Sequence, residues 1–478
     1  MTPSTSLSPA AIAMNRFGLG ARPDDTIPAD PKAWLKGQLG RFQPATAAFT
    51  ALPDAGELVQ TYLDEQRQLR QQAKRDQAAA SMSGGGKSIE QKAARRDYAQ
   101  DVQALYRQAV QARAQAVIDT PAPFVERLVH FWSNHFCVSA DNQQVTAFAG
   151  AFERDAIRPH VLGRFEDMLL AVEHHPAMLI YLNQIQSIGP DSMAAERAAR
   201  RNPAQRRGLN ENLGREIMEL HTLGVRSGYS QSDVTEFARA LTGWSVAGIG
   251  PGGATDDRPG EFLFRPQLHE PGERTILGKR YREDGEAQAR AALTDFARSP
   301  ATATHVATKL ARHFAGDAPP PALVERLAAS FRRSGGDLPA LYRTLIDSPE
   351  PWQPAPLKFK TPWEWTISAL RGLGRSEIGA MQVAAIQNQL GQPVWKPGSP
   401  AGWDDVAASW AGPDALLRRV DFAQRLVAPV GDRLDARQLG PRLLPASFSR
   451  ATADEVGRAE SPGDALALLL VSPDFLRR

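Results

Sequence analysis

NENLGREIMELHTLGVRSGYSQSDVTEFARALTGW, Asn210 to Trp244, reads as two helices joined by a glycine-containing turn, and it sets carboxylates among hydrocarbon. At about 100° per residue, Leu213, Ile217, Leu220 and Leu223 make one apolar stripe. Glu216 falls inside that stripe and Glu219 at its edge. An ionised carboxylate buried there needs a cation, a metal ion or several hydrogen-bond donors. Glu216 and Glu219 are three residues apart, share a face and suit one cation, whereas His221 points away from both. Two readings stay open: a buried salt bridge to Arg215, Arg239 or Lys309, or a divalent metal or catalytic acid. Ser230 and Asp233 are spaced to cap the second helix, which offers Val234, Phe237, Ala238 and Leu241 to a core.

The same punctuation recurs outward from this stretch. Ser8-Pro9, Asp30-Pro31, Thr120-Pro121, Ser299-Pro300 and Thr361-Pro362 each fit an N-cap followed by proline at the first helical position, and Glu364 completes a capping box with Thr361. Gly18, Gly224 and Gly243 are placed to end helices. The chain therefore reads as mainly α, a multi-helix globular body. Residues 57–119, rich in Gln, Arg, Ala and Asp, read as a projecting hairpin of two long helices, with a flexible tip at 81–88. That tip, SMSGGGKS, lacks the first glycine of a Walker loop and reads as a linker. Residues 245–283 read as a glycine-rich loop followed by one small β-hairpin, with FLF, Gln267-Leu268 and RTIL alternating around HEPG. Residues 427–451 read as a surface connection before a last helix, Pro462 to Val471.

Composition excludes more than it assigns. With 42% apolar and 23% charged residues the balance is that of a soluble globular chain, and 56 basic against 53 acidic residues point to no polyanion. The arginines between Arg197 and Arg207 lack interleaved aromatics, so no nucleic-acid partner is expected. A single cysteine, Cys137, rules out an internal disulfide framework. No apolar run suits a membrane span, and the N-terminus lacks the pattern of an export signal, so a cytoplasmic location is expected.

On the helix from Pro121 to Phe136, His135 projects between Phe131 and Trp132 toward the core, as a buried histidine bonded to a carbonyl or carboxylate, or as a ligand or base. His130 lies about 140° from it, which is not the geometry of a zinc-binding HExxH helix. His269 and Glu270, near a turn, are placed for substrate contact. Lys358 and Lys360 read as a solvated loop or an anion contact, and Trp395, Trp403 and Trp410 as a cleft lining or as packing under a long loop.

Several short motifs carry a resemblance: FGLGARP (Phe17 to Pro23), HFWSNHF (His130 to Phe136), YLN (Tyr181 to Asn183), the Asn210–Trp244 stretch, HEPGERTILG (His269 to Gly278), KLARHF (Lys309 to Phe314), LGQPVWKP (Leu390 to Pro397), Gly402-Trp403 and the final SPDF (Ser472 to Phe475). In this order they resemble the bacterial family catalogued as domain of unknown function 1800. The likeness runs along nearly the whole chain and so treats 1–478 as one helical unit. Two positions depart from the family's usual pattern, Asn183 and Glu270, where aspartate is often found. The resemblance brings no reaction. It does imply a sulfatase-like protein as partner, since relatives are often encoded beside such proteins and often exported, so co-export is an alternative to the cytoplasm. The expected site is His135, Glu216, Glu219 and His269 converging in a cleft under the glycine-rich loop, with a divalent metal or a carboxylate of raised pKa supporting hydrolase-like acid–base chemistry. The alternative is a satisfied polar network in a non-catalytic binding partner.

Overall fold

The computed structural model describes residues 6–80, 89–201, 208–250, 258–379, 381–431 and 433–478. Helices carry the architecture, and one apolar core runs from Leu7 to Leu476 through nearly all of them. No helix among the described residues is long and apolar enough to cross a membrane. The caps read from sequence are in place at Ser8, Asp30, Ser299 and Thr361, each side chain accepting a backbone N–H of the first turn. Thr120 is the exception. Pro123 takes the first helical position of Pro123–His135, and Thr120 Oγ1 instead accepts from Ala122 N at 3.1 Å. Gly224 and Gly243 hold the left-handed φ values of 91° and 90° expected after a helix, while Gly18 is extended at φ −80°.

Three helices contain a widened π turn, at Ile12–Phe17, Glu153–Ile157 and Ile217–His221. The last lies in the Asn210–Trp244 stretch and changes the angular spacing on which the stripe reading rests, since a π turn holds more residues per turn than an α turn. The long-helix hairpin consists of Ala55–Ala80 and Ile89–Asp119. From Val102 onward its second helix is a wall of the body rather than an arm: Val110, Ala114, Val117 and Ile118 are buried, and it packs on Gln143–Phe152 and Val383–Leu390. The tip at 81–88 lies outside the described residues.

The single β-hairpin expected between 261 and 281 is instead two separate antiparallel pairs. Phe262–Phe264 (β2) folds back on Trp244–Val246 (β1), directly after the helix Gln231–Leu241, so its partner is the end of the opening stretch. Arg274–Ile276 (β3) pairs with Lys279–Tyr281 (β4) across Leu277 and Gly278, both left-handed at φ 51° and 75°. Two successive positive φ values make the turn whose twist matches adjacent strands. His269 and Glu270 lie between the two pairs, and the glycines at 252 and 253 fall outside the described residues. The 427–451 segment is more than a surface connection. It contains the helix Ala436–Leu443, which buries Leu439 and Leu443 against Pro462–Val471.

Candidate functional site

The four residues expected to converge are held by different partners. His135 is buried, and its Nε2 donates to the carbonyl of His221 at 3.1 Å. His305 Nε2 donates to the neighbouring carbonyl of Leu220 at 2.9 Å. Both imidazoles thus satisfy carbonyls left open where the π turn Ile217–His221 ends, a capping task. His221 turns inward and meets the buried Glu173, Nδ1 to Oε1, at 2.8 Å. Burial is the main reason that His135 and His305 are neutral, His305 being lowered to about 4.

Glu216 and Glu219 are half-buried, and neither has an ion pair among the described residues. Of the expected cations, Arg215 is engaged by Glu211 and Arg239 by Glu236, while Lys309 lines a separate cavity and pairs with neither glutamate. Burial raises the Glu216 carboxyl above its ordinary value, and Glu219 adds to the rise. His269 belongs to another neighbourhood: its Nδ1 is 2.8 Å from the Thr242 carbonyl, and its Nε2 is 3.3 Å from Glu283. Glu270 accepts from Asp191 N at 2.7 Å. No group of three or more His, Cys, Asp and Glu side chains among the described residues is arranged to hold a metal ion.

A different set of residues does converge, around a partly open cavity of about 220 Å³. Pro123–His135 supplies Arg127, His130, Ser133 and Asn134, and Pro300–Ala315 supplies Lys309, Arg312 and His313. The start of Pro362–Gly372 adds Trp363 and Glu364, and the 392–405 loop closes the far side with Trp395, Trp403 and Asp405. That loop is pinned by Asn134, which donates to Trp403 O at 2.9 Å and accepts from Trp403 N at 2.7 Å. Gly402 is required there, because at φ 80° a Cβ would come within 2.4 Å of the Asn134 carbonyl.

At the cavity, His313 Nδ1 is 2.8 Å from Asp405 Oδ2. The other oxygen of Asp405 is 2.9 Å from Lys358 Nζ, which also pairs with Asp317. Burial opposes ionisation of Asp405, yet His313, Lys358 and Arg478 overcome it and hold the carboxyl well below its ordinary value. Burial lowers His313, and Asp405 only partly restores it, so the ring is neutral near pH 7. Asp405 therefore accepts a hydrogen bond from Nδ1–H, leaving Nε2 as an acceptor, 3.5 Å from Arg127 Nη1. Arg127 and Arg478 both pair with Glu364, whose second oxygen accepts from Thr361 N at 3.0 Å. Arg478 is brought there by backbone pairing of Lys358 with Arg478, 3.1 Å one way and 2.9 Å the other.

His130 accepts from the Trp363 indole at 3.2 Å and is kept neutral chiefly by burial. Arg113 pairs with Glu153 at 3.0 Å and lies over the Trp363 and Trp395 rings. Cys137 also lines the cavity, but burial pushes its thiol up to about 12, which leaves it un-ionised and a poor nucleophile. Lys358 and Lys360, read from sequence mainly as a solvated loop, are both buried, and Lys360 lies 4.0 Å over the Phe475 ring.

Sequence reasoning passed over His313 and Asp405, although KLARHF places Lys309, Arg312 and His313 at i, i+3 and i+4 on one helix face between apolar neighbours. Fold and site together define a mainly α-helical protein with a small, densely charged cavity. The chain belongs to the family described as Protein of unknown function (DUF1800), whose model matches residues 12–477. Neither the curated proteins nor the solved structures contain a match to this chain.

Proposed function

We propose that the cavity is the active site of an enzyme that performs hydrolase-like acid–base chemistry on a small molecule, with His313 as the proton carrier and Asp405 as its positioning residue. The observation that carries this reading is the Asp405–His313 pair, 2.8 Å apart, in the wall of a cavity that opens to solvent at Asp404. A neutral imidazole whose Nδ1–H is held by a carboxylate presents a basic Nε2, and the carboxylate stabilises the imidazolium once the proton arrives. Arg127, fixed by Glu364, faces the same nitrogen and would be the first group to feel that charge. The carboxylate of this acid–base reading is thus Asp405 rather than Glu216 or Glu219. A metal-dependent version centred on His135, Glu216, Glu219 and His269 draws no support from their separate partners.

The test is turnover of a panel of p-nitrophenyl acetate, phosphate and sulfate, together with titration of the histidines by NMR. Wild-type turnover is expected to fall on the acid side as His313 protonates, and to drop at least a hundredfold in His313→Gln. In Asp405→Asn the His313 pKa is expected to fall further, because a charge that raises it is lost. Unchanged turnover in a folded His313→Gln, or an Asp405→Asn that leaves the His313 titration in place, would overturn the reading. The assembly reading, a non-catalytic partner of an exported sulfatase-like protein, predicts no turnover at all and full retention of partner binding in His313→Gln.

A further inference from the structure

The charges around the cavity do not balance one another. Arg113 is matched by Glu153, Arg127 by Glu364, and Asp405 is already shared by His313 and Lys358. Lys309 and Arg312 also line the cavity, and neither has an ion pair or hydrogen bond among the described residues. Arg312 Nε is buried with no partner. The remaining carboxylate of the lining, Asp404, is exposed at the rim and accepts from Ser409 Oγ at 3.0 Å. Two half-buried cations one helical turn apart on the cavity wall, with no carboxylate paired to them among the described residues, are placed to receive an anion.

We propose that Lys309 and Arg312 form an oxyanion subsite, so that the small molecule handled at His313 carries a carboxylate, phosphate or sulfate group. This rests on the acid–base reading above and names its substrate class. The planar guanidinium fork of Arg312 suits two oxygens of one oxyanion, while Lys309 supplies a point charge from the preceding turn. His313 follows Arg312 directly on the same helix, so an anion held by this pair sets the rest of the molecule against the imidazole. The volume of about 220 Å³ is sized for a small molecule or group.

The proposal has a pH signature. Lys309 is lowered to about 8, by burial first. The titratable and charged groups around it are His135 and Cys137 from the Pro123–His135 helix and its end, His305 and Arg312 on its own helix, and Asp405 from the loop. Burial keeps Cys137 protonated and both histidines neutral in the range of interest, so of these groups Lys309 is the one that changes charge between pH 7 and 9. An anion binds the ammonium form, and binding must therefore weaken as pH rises through this value.

The experiment is calorimetric titration of the full chain with sulfate, and separately with acetate, at constant ionic strength; neither anion titrates in this range. Wild type is expected to bind one of them at one site per chain. Affinity should drop about tenfold between pH 7.5 and 9, as one proton-linked site requires. Lys309→Met and Arg312→Gln should each weaken binding at least tenfold, and Lys309→Met should also abolish the pH dependence. His313→Gln should still bind the anion. Both cation variants remove a half-buried charge that has no ion pair among the described residues, so melting temperatures near or above wild type are expected, and a melt of each variant separates loss of binding from unfolding. No binding of either anion, or binding indifferent to both substitutions, would overturn the subsite. In that event the turnover and histidine titration of His313→Gln and Asp405→Asn still decide the acid–base reading on their own.

Discussion

Glu364 at the cavity and Glu216 in the Asn210–Trp244 stretch are both glutamates on packed helices, and their surroundings drive them in opposite directions. Glu364 is almost fully buried, yet Arg478, Arg127 and a backbone N–H at Thr361 outweigh that burial and keep it ionised. Glu216 is half-buried without a cation, and burial raises its carboxyl. The difference teaches that a carboxylate in an apolar stripe does not by itself mark the chemistry. What marks it is whether opposite charges arrive from other elements, and whether they arrive at an opening. Around the 210–244 stretch the polar groups mostly satisfy helix ends: His135 and His305, from other helices, bond its carbonyls at His221 and Leu220, and Ser230 and Asp233 cap its second helix. At the cavity they satisfy one another, except for Lys309 and Arg312.

The sharpest way to break this contrast is Glu364→Ala, which strands two buried arginines and removes the partner half of a capping box. A loss of about 3–5 kcal/mol is expected in chemical denaturation; a loss under about 1 kcal/mol would mean that the pair is no better matched than a surface one.

Acid titration comes next in size. His130, His135, His174, His175, His305 and His313 are all depressed by burial. Each folded-state pKa lies below the unfolded one, so the folded state binds fewer protons and stability falls as pH drops below the ordinary histidine value. His305, lowered from 6.5 to about 4, accounts for up to about 3 kcal/mol of that loss. Denaturation midpoints should already decline gently from pH 8 to 7, where the lowered Lys309 and Lys360 take up protons, and decline steeply from 6.5 toward 4. A flat profile would show that these rings are solvated.

The smallest effect tests Glu216 itself. Its folded pKa is raised, so the wild type gives up stability as pH rises through that value, and Glu216→Gln avoids the loss. Paired melts should find the variant equal to wild type at pH 4 and level or slightly more stable at pH 8, within about 0.5 kcal/mol. Destabilisation by several kcal/mol would assign Glu216 a specific partner and return weight to the stretch as a functional centre.

Much of the scaffold was legible because its signals are local. Ser230 with Asp233, Thr361 with Glu364 and the Ser-Pro helix starts each act within one turn, so residue type and spacing suffice. Strand pairing was less so. FLF pairs with Trp244–Val246 across the glycine-rich segment, a choice that packing makes. At the site, the lysine and arginine of KLARHF share a face that periodicity reveals, but the acid that defines the role of His313 lies 92 residues away.

The sequence by itself determined a mainly helical chain, its caps and the residues that face inward, since these follow from backbone geometry and apolar periodicity over a few residues. Only the tertiary structure decided which inward-facing charges meet, because pairing Arg127 with Glu364 or His313 with Asp405 depends on how distant helices and one pinned loop are brought together. That same assembly left Lys309 and Arg312 beside the cavity without an ion pair among the described residues, a property of the packed whole that no short run of residues encodes.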